Sequence, residues 1–310
     1  MRHTKRNRSI ACVLAAFVFF PFVGYGQEDL LKLAQADEKK SSEKVEATFK
    51  GTRIVNSQSI QTSKARMLDF HIAHRFGTLG EGGNVHNMFG LFQVSDIRFA
   101  FEYGITDRLM AGISRFKSME NYEGFLKFRL FQQTEDNKIP VSVTLHTNAA
   151  LTGVADVDSV FLVSENRNST RYGRFAHRFS FLTQALIARK FTSAFSLQLM
   201  PAYLHRNIVG SEDQNGLFSI GFGGRLKFAK RAAIIADYYY TFSNLRNKKG
   251  SGFFDPLGIG IELETGGHVF NIMFSNSAGL LENDYLVNTR NSWSKGGIRF
   301  SFNISRGFVL

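Results

Sequence analysis

Twelve charged residues recur at alternate positions of short apolar segments, and their types suit ion pairing or the guidance of a charged solute. Residues two apart in a β-strand point to the same face, so these charges would share one face of a sheet. We expect them to line an interior, where acids and bases either satisfy one another across strands or separate onto opposite walls. The candidate lumen-lining residues are Asp69, Asp96, Arg98, Glu102, Lys127, Arg129, Arg225, Lys227, Asp237, Glu262, Glu264 and Arg299.

The opposite faces of the same segments are apolar and aromatic. Ile97 to Tyr103 and Ile298 to Ile304 alternate a large apolar residue with a polar or small one, without helical spacing. Because the pattern recurs about a dozen times after a secretory leader, the apolar faces can all point outward only into lipid. The sequence therefore predicts an all-β protein, a single transmembrane antiparallel up-and-down β-barrel.

About twelve strands can be laid out, each long enough for a tilted strand to cross the apolar layer of a membrane. Connections after even-numbered strands are short and most of those after odd-numbered strands are longer, which is the alternation of such barrels. This parity predicts that both termini lie on the periplasmic side. The predicted strands are residues 67–76, 96–105, 108–116, 122–132, 139–149, 176–190, 195–206, 216–229, 232–242, 253–264, 268–276 and 297–310.

The first 26 residues have the composition of a signal peptide. Four basic residues precede the apolar stretch from Ile10 to Val23, which is too short to span a bilayer. Gln27 is the expected mature start, and the only cysteine, Cys12, would leave with the leader. Removal lowers the net charge from +12 to about +8, which is explained most simply by a solvated basic surface and could also suit anionic lipopolysaccharide or an acidic solute. No run of lysine or arginine is dense enough for a nucleic-acid-binding arm. We expect the cell outer membrane of a Gram-negative organism, reached by secretion through the inner membrane.

Residues 27–65 lack enough apolar side chains for a core of their own and are predicted to be a polar periplasmic tail. Within them, Val45 to Ile60 carries several large apolar residues among threonines and serines, so this part could also fold into the barrel as a plug. The barrel itself would occupy residues 66–310.

The outward positions have a simple role, which is contact with lipid. The tyrosines Tyr238, Tyr239 and Tyr240 near one strand end suit the membrane interface. We expect a monomer in contact with lipid and lipopolysaccharide. The predicted outward residues include Leu68, Phe70, Ile72, Leu126, Phe128, Leu130, Phe218, Ile220, Phe222, Leu257, Ile259, Ile261, Leu263, Phe270, Ile272 and Phe274.

Catalytic patterns are weak. His146 and Ser277 supply residue types of a lipid-acting serine hydrolase, but they fall on strands about half a circumference apart, and there is no G-x-S-x-G motif. The histidines do not form a metal-ligand pattern with acidic residues. We therefore expect no enzyme, no metal site and no cofactor.

Several short motifs, taken in their order and spacing, resemble a Bacteroidota family of outer-membrane β-barrels that is known only as a domain of unknown function. The resemblance implies a fold and a location and brings no activity. The motifs are His74 to Gly77, Arg98 to Gly104 with Thr106 to Arg108, Gly124 to Phe128, Pro201 with His205 to Asn207, Gly266 to Phe270, and Phe302 to Arg306.

The last strand also resembles the signal that the barrel-assembly machinery reads during biogenesis. Lys295, Gly297, Phe300 and Phe302 supply the polar residue, glycine and spaced hydrophobics, although the strand continues to Leu310. This machinery is therefore an expected partner.

Three functions follow from these observations. The leading hypothesis is a narrow, charge-lined, porin-like channel for passive or facilitated transport of a small solute. The alternative is a barrel sealed by its own ion pairs, which holds partners through its outer loops or its tail. A lipid-acting hydrolase ranks last.

Overall fold

The computed structural model describes residues 43–80, 84–154 and 174–310. The predicted signal peptide and residues 27–42 of the predicted tail lie outside the described residues. Among the described residues, no helix is both long and apolar enough to cross a membrane.

Twelve antiparallel strands form one closed barrel in which every strand pairs with its neighbours in sequence and β1 pairs with β12. The predicted all-β up-and-down architecture and its strand number are confirmed. The strands are β1 (Met67–Thr78), β2 (Val94–Gly104), β3 (Leu109–Phe116), β4 (Tyr122–Phe131), β5 (Ser142–Leu151), β6 (Phe179–Lys190), β7 (Phe195–Arg206), β8 (Gly216–Ala229), β9 (Ala232–Phe242), β10 (Leu257–Thr265), β11 (His268–Ser275) and β12 (Arg299–Val309).

The alternation that predicts the strands also decides which side chains face out. On β2, Phe99 and Phe101 are exposed, whereas the intervening Ala100 is buried. Ile261 on β10 faces Ile234 on β9 and Ile272 on β11, and all three are exposed. An apolar outer surface around a polar interior is the pattern of membrane-spanning barrels.

The start of β10 departs furthest from its sequence pattern, and β5 and β6 each begin three residues later than predicted. The pattern places the start of β10 at residue 253, but the strand begins at Leu257 because Pro256 has no N–H to donate to the ladder. Phe253 instead packs its ring under Arg290, whose Cζ lies 3.4 Å from the ring centroid.

The connections divide the barrel into two ends. The short-turn end carries residues 105–108, 132–141, 191–194, 230–231 and 266–267, and the long-loop end carries all the other connections. The chain enters β1 and leaves β12 at the short-turn end, where Arg66 N donates to Gly104 O and Leu310 N donates to Arg66 O.

One long loop folds inward. Between β11 and β12, the helix α1 (Glu282–Asn288) buries Tyr285, Leu286 and Val287 inside the barrel. Thr241 of β9 donates to Leu286 O at 3.0 Å, and Asn283 donates to the hydroxyl of Ser180 on β6 at 2.9 Å. The helix therefore narrows the lumen from the long-loop end.

Residues 43–66 form a second inward element, here called the lumenal hairpin. Its two legs pair where Arg53 faces Gln58, Ser59 N donates to Thr52 O, and Ile54 N donates to Ser57 O. The first leg starts at the short-turn end, where Val45 N donates to Gln133 O. The second leg returns to the same end before β1, and every residue from 52 to 60 is buried.

Candidate functional site

The tip of the lumenal hairpin is held by the carboxylate of Asp237 on β9. Its Oδ2 accepts hydrogen bonds from the backbone N–H groups of Val55, Asn56 and Ser57, at 3.2, 2.6 and 2.8 Å. The side chains of Asn56 and Ser57 also donate to this carboxylate, each at 2.8 Å. An ionised carboxylate only accepts hydrogen bonds, so five donors around one group satisfy it without a cation.

The two legs of the hairpin are bridged by Lys127 of β4. Its Nζ donates to the backbone oxygens of Thr52 at 2.9 Å, Ser59 at 3.1 Å and Gln61 at 3.2 Å. These three bonds use all the donors of an ammonium group. The lysine is fully buried, so it fixes both legs at one depth of the lumen.

A buried cluster around Glu102 of β2 meets the first leg. Thr52 Oγ1 donates to Glu102 Oε2 at 2.6 Å, and Arg98 Nη2 donates to Glu102 Oε1 at 3.0 Å. The ring Nε2 of His71 lies 3.2 Å from the same carboxylate. The hairpin thus joins an ion pair that β1 and β2 already present.

The hairpin also contacts the inward helix directly. Arg53 Nη1 lies 3.1 Å from Glu282 Oε1 of α1 and also donates to Asn56 O. Arg53 Nη2 lies 3.4 Å from Glu282 Oε2 and 4.0 Å from Glu123 Oε2 of β4. Segments that enter the lumen from its two ends therefore meet in its interior.

Arg75 of β1 ties these parts to the wall. Its Nη2 donates to Asn56 Oδ1 at 2.7 Å, and its Nη1 donates to the backbone oxygen of Gly279 at 2.6 Å. Its Nε donates to the hydroxyl of Ser301 on β12 at 3.0 Å. Sequence reasoning missed Arg75, although it shares the inward parity of Asp69 and would have been found by the same rule.

Small wall residues make room for the hairpin tip. A methyl group added at Gly223 of β8 would lie 2.5 Å from Ile54 Cδ1, and one added at Gly258 of β10 would lie 2.5 Å from Val55 Cγ1. These glycines allow a close approach of the hairpin to the wall. A wall of larger side chains would leave no space for it.

One side of the hairpin is apolar. Phe49, Ile54, Val55 and Ile60 belong to one buried cluster with wall and α1 side chains. The wall members come mainly from β6 to β9, and they include Leu182, Leu186, Met200, Leu204, Leu217, Ile235 and Tyr239. The hairpin therefore packs by apolar burial on one wall and by charged hydrogen bonds on the others.

Six of the twelve predicted lumen residues bind the hairpin. Lys127, Asp237 and Glu102 do so as described, and Asp69 accepts a hydrogen bond from Ser63 Oγ. Arg129 Nη2 donates to Thr62 Oγ1 at 2.6 Å, and Glu264 Oε2 lies 3.1 Å from Lys50 Nζ.

Three more of the predicted residues pair within the wall. Arg225 of β8 reaches across β9, with its Nε 2.8 Å from Glu262 Oε1 and its Nη2 3.1 Å from Glu264 Oε1. Arg98 bonds Glu102 as described. Arg225 thus forms ion pairs with two acids across the strands, whereas the Arg98–Glu102 pair lies within β2.

The remaining three lie toward the ends. Asp96 accepts from the backbone N–H groups of Ser118 and Leu280, at 2.8 and 2.9 Å, and so fixes two loops of the long-loop end. Arg299 donates to Asn291 Oδ1 at 2.9 Å and to Ser95 Oγ at 2.5 Å. Lys227 is half-buried near the short-turn end.

The tyrosines of β9 do not all face the interface. Tyr238 and Tyr240 flank Tyr239, which is buried and donates from its hydroxyl to Gln184 Oε1 at 3.0 Å. The interface prediction for Tyr239 is wrong because consecutive residues of a strand point to opposite faces.

The residues considered for hydrolysis bind other groups. His146 Nδ1 lies 3.0 Å from Gln184 Nε2, and Ser277 Oγ accepts from Thr289 at 3.3 Å. Within residues 43–80, 84–154 and 174–310, no group of three or more His, Cys, Asp or Glu side chains could hold a metal ion.

A cavity of about 270 Å³ opens at the long-loop end, beside α1. Its lining mixes aromatic, charged and aliphatic side chains, among them Tyr240, Arg246, Phe253, Asp255 and Leu286. Arg246 in turn lies 2.7 Å from Asp213. Burial raises the pKa of Asp213, but hydrogen bonds and charge from Arg246 and Arg206 outweigh it and bring the pKa to about 2.

Comparison with known proteins gives the family. The model of a Membrane bound beta barrel domain (DUF5777) matches residues 49–308, which is most of the chain. The chain belongs to this family. The match begins within the lumenal hairpin, so the family's domain includes part of that element as well as the barrel. A search of curated proteins found no match.

Solved structures similar to this chain include the NanC porin, with 7% identity, a TM-score of 0.46, and coverage of 78% of this chain and 100% of the porin. The KdgM porin shows 7% identity, a TM-score of 0.43, and coverage of 78% and 99%. An outer membrane channel from Pseudomonas putida F1 shows 12% identity, a TM-score of 0.46, and coverage of 80% and 98%. Similarity this distant assigns no solute.

Proposed function

We propose that this protein is a channel of the outer membrane for a small solute, and that the lumenal hairpin closes it at rest. The observation that carries the proposal is that a separate segment fills the lumen between the strands and meets α1 through Arg53 and Glu282. The short-turn end would face the periplasm, as the predicted leader and the even strand number imply. The resemblance noted in the sequence favours an origin in Bacteroidota.

A removable closure is favoured by how the lumen is filled. A barrel that is permanently sealed can fill its interior with the side chains of its own strands. Here the wall has glycines at positions 223 and 258, and the space above them is occupied by residues that are not part of any strand. The hairpin can leave without breaking a strand pair, whereas strand side chains cannot.

The character of the contacts also favours release. One side of the hairpin is apolar, but the others are held by Asp237, Lys127 and Glu102, which water can solvate when the hairpin leaves. A lumen lined by such groups suits a small polar or charged solute. The cavity of about 270 Å³ beside α1 gives the solute a place of entrance at the long-loop end.

A reversible lock tests the proposal. The expected mature chain has no cysteine, so Val55→Cys with Gly258→Cys would place the only pair of thiols at the contact between the tip and β10. The expected mature chain, residues 27–310, would be studied in planar bilayers. We expect rare openings of steady conductance in the unmodified protein, loss of these openings when the double variant is oxidised, and their return on reduction.

Control variants distinguish closure of the channel from misfolding of the barrel. Val55→Cys alone should show the openings of the unmodified protein under both oxidising and reducing conditions. Folding of each variant would be checked by its heat-dependent migration in detergent gels. If the folded proteins, including Arg53→Ala, carry no current under any condition, the barrel is sealed, and the alternative of an interaction protein replaces the channel.

A further inference from the structure

We propose that the lumen recognises peptide backbone, and that the solute of the channel is an oligopeptide whose place the lumenal hairpin takes at rest. This inference rests on the proposed function and names the substrate class of the same lumen. It is carried by those contacts between wall side chains and the hairpin that are made to main-chain atoms, which come from β4, β5, β7, β9 and β11.

Backbone oxygens of residues 52–61 of the hairpin are bound by four wall residues on four strands. Lys127 of β4 donates to three carbonyl oxygens, as described. Thr144 of β5 donates to Ile60 O at 3.0 Å, Gln198 of β7 donates to Gln58 O at 2.8 Å, and Asn271 of β11 donates to Ile54 O at 3.4 Å. Each of these donors would serve any peptide that crosses the same height, because every residue carries a carbonyl oxygen.

Backbone N–H groups of the hairpin tip are bound by a single acceptor. Asp237 accepts from three successive amides at the tip, at 3.2, 2.6 and 2.8 Å. Converging N–H groups at a turn are a common way in which a chain binds an anion. Donors for carbonyls and an acceptor for amides therefore face one lumen, and this combination matches a peptide better than a sugar or a simple ion.

Two side-chain amides of the wall donate a hydrogen bond to the hairpin but accept none. Gln198 donates through Nε2 and Asn271 through Nδ2, while Gln198 Oε1 and Asn271 Oδ1 have no hydrogen-bond partner among the described residues. A side-chain amide can donate to a carbonyl and accept from an N–H of the same strand. A peptide that runs along the wall could satisfy both atoms of each amide, which the hairpin does not.

The wall bonds the side chains of Thr52, Asn56 and Ser57, but it does not bond the side chain between the tip and the second leg. Gln58 is fully buried, and neither atom of its amide has a hydrogen-bond partner in the part of the chain that the structure describes. The lumen therefore accepts this side chain without reading it. We infer that the channel distinguishes peptides from other solutes more than it distinguishes one short polar peptide from another.

The test is block of ion current through the expected mature chain carrying Arg53→Ala, which loosens the hairpin. Three probes would be added separately: a peptide with the sequence of residues 51–62, a scrambled peptide of the same composition, and maltohexaose as a neutral oligosaccharide. We expect the two peptides to block at similar concentrations, and at least about tenfold below maltohexaose, the ratio that one or two hydrogen bonds supply.

Wall variants then locate the contact. In the Arg53→Ala background, Gln198→Ala and Asn271→Ala should each raise the half-blocking peptide concentration by about two- to tenfold, the effect of one lost hydrogen bond. Open-channel conductance should change much less. Ser219→Ala is the matched control, because Ser219 is a buried wall residue that bonds Thr241, also of the wall.

The outcomes are separable. A pore that peptides and maltohexaose block equally, or in which the two amide variants behave like Ser219→Ala, overturns the inference and leaves the channel in place. Absence of current overturns the channel and the inference together. If Arg53→Ala does not assemble, Asn56→Ala replaces it, since this change removes the side-chain bonds from the tip to Asp237 and Arg75.

Discussion

Arg53 of the lumenal hairpin and Glu282 of α1 form an ion pair of 3.1 Å in the interior of the barrel, with 6% and 0% of their side-chain surfaces exposed. The two residues are 229 positions apart and belong to segments that enter from opposite ends. This ion pair, together with the apolar cluster that the hairpin shares with α1, connects the segment from the short-turn end to the segment from the long-loop end. Loss of either segment would remove the charged partner of the other.

We predict that Arg53→Ala lowers the free energy of unfolding by about 3–5 kcal/mol, because Glu282 is then buried and uncompensated. Glu282→Gln in the Arg53→Ala background should recover part of this loss. Denaturant unfolding, followed by the fluorescence of the single tryptophan Trp293, would measure both. Lys138→Ala is the control, since its pair with Asp136 leaves Lys138 78% exposed and is expected to contribute less than about 1 kcal/mol.

The anchoring of the tip gives a second prediction. Asp237→Asn replaces one acceptor oxygen by a donor that would face the N–H groups of the tip. We expect faster hydrogen exchange of the amides of residues 55–57, with little change in the strands. Exchange measured by mass spectrometry on a peptide that covers the tip would test this. Unchanged protection would mean that apolar packing of Ile54 and Val55 holds the tip without the carboxylate.

A third prediction concerns pH. Burial raises the pKa of Asp284 in α1 from its ordinary value of 3.8 to about 6, and the nearby charge of Asp96 adds to the effect, while bonds from Asn288 and Ser118 and the charge of Arg75 oppose it. The folded loop therefore binds the proton more tightly than the unfolded loop does. Its stability is full below about pH 4 and falls as the pH rises through about 6.

Hydrogen exchange of α1, corrected for intrinsic rates, should accordingly increase between about pH 4 and pH 7. Asp284→Asn keeps the hydrogen-bonding shape and removes the titration, so its exchange should lose this part of the pH dependence. If the variant and the unmodified protein respond alike, another group controls the loop.

The outer face gives a fourth prediction. Ile261→Arg places a charge on the lipid-exposed surface, where its neighbours across the strands are Ile234 and Ile272. The expected loss is about 2–4 kcal/mol if the position lies near the middle of the membrane. Reversible unfolding from liposomes would measure it. Ile261→Ala is the control for lost side-chain volume, and a similar loss in both variants would place the residue away from lipid.

The strands of this protein could be predicted from its sequence because their signal is local. Alternation within about ten residues decides which side chains face lipid, so the strand order, the outward residues and the inward charges follow from parity. The errors are also local. Pro256 shortens β10. Tyr239 points inward between two outward neighbours because side chains continue to alternate between the two faces of the sheet up to the end of the strand.

The partners of the inward charges could not be predicted in the same way. Asn56 and Asp237 are 181 residues apart, and the hairpin has no periodic pattern that states which wall residue it meets. The apolar residues between Val45 and Ile60 did indicate that this segment could fold into the barrel as a plug, but not which wall residues it would contact. Glu282 lies in a long loop with no signal of inward folding, so its pair with Arg53 had no sequence indication.

The lumenal hairpin begins and ends at the same rim of the barrel, and this decides how it can move. A chain that passed through the lumen once would have to thread a free terminus to leave it. The lumenal hairpin is doubled on itself, so it can instead be withdrawn as a loop, without passing a chain terminus through the barrel. Tension on the residues before Val45 would load the contacts to Gln132 and Gln133 first, then the tip, and the contacts of the second leg to Lys127 and Arg129 last. A pull from the short-turn end would therefore break the contacts of the lumenal hairpin one after another and not all at once.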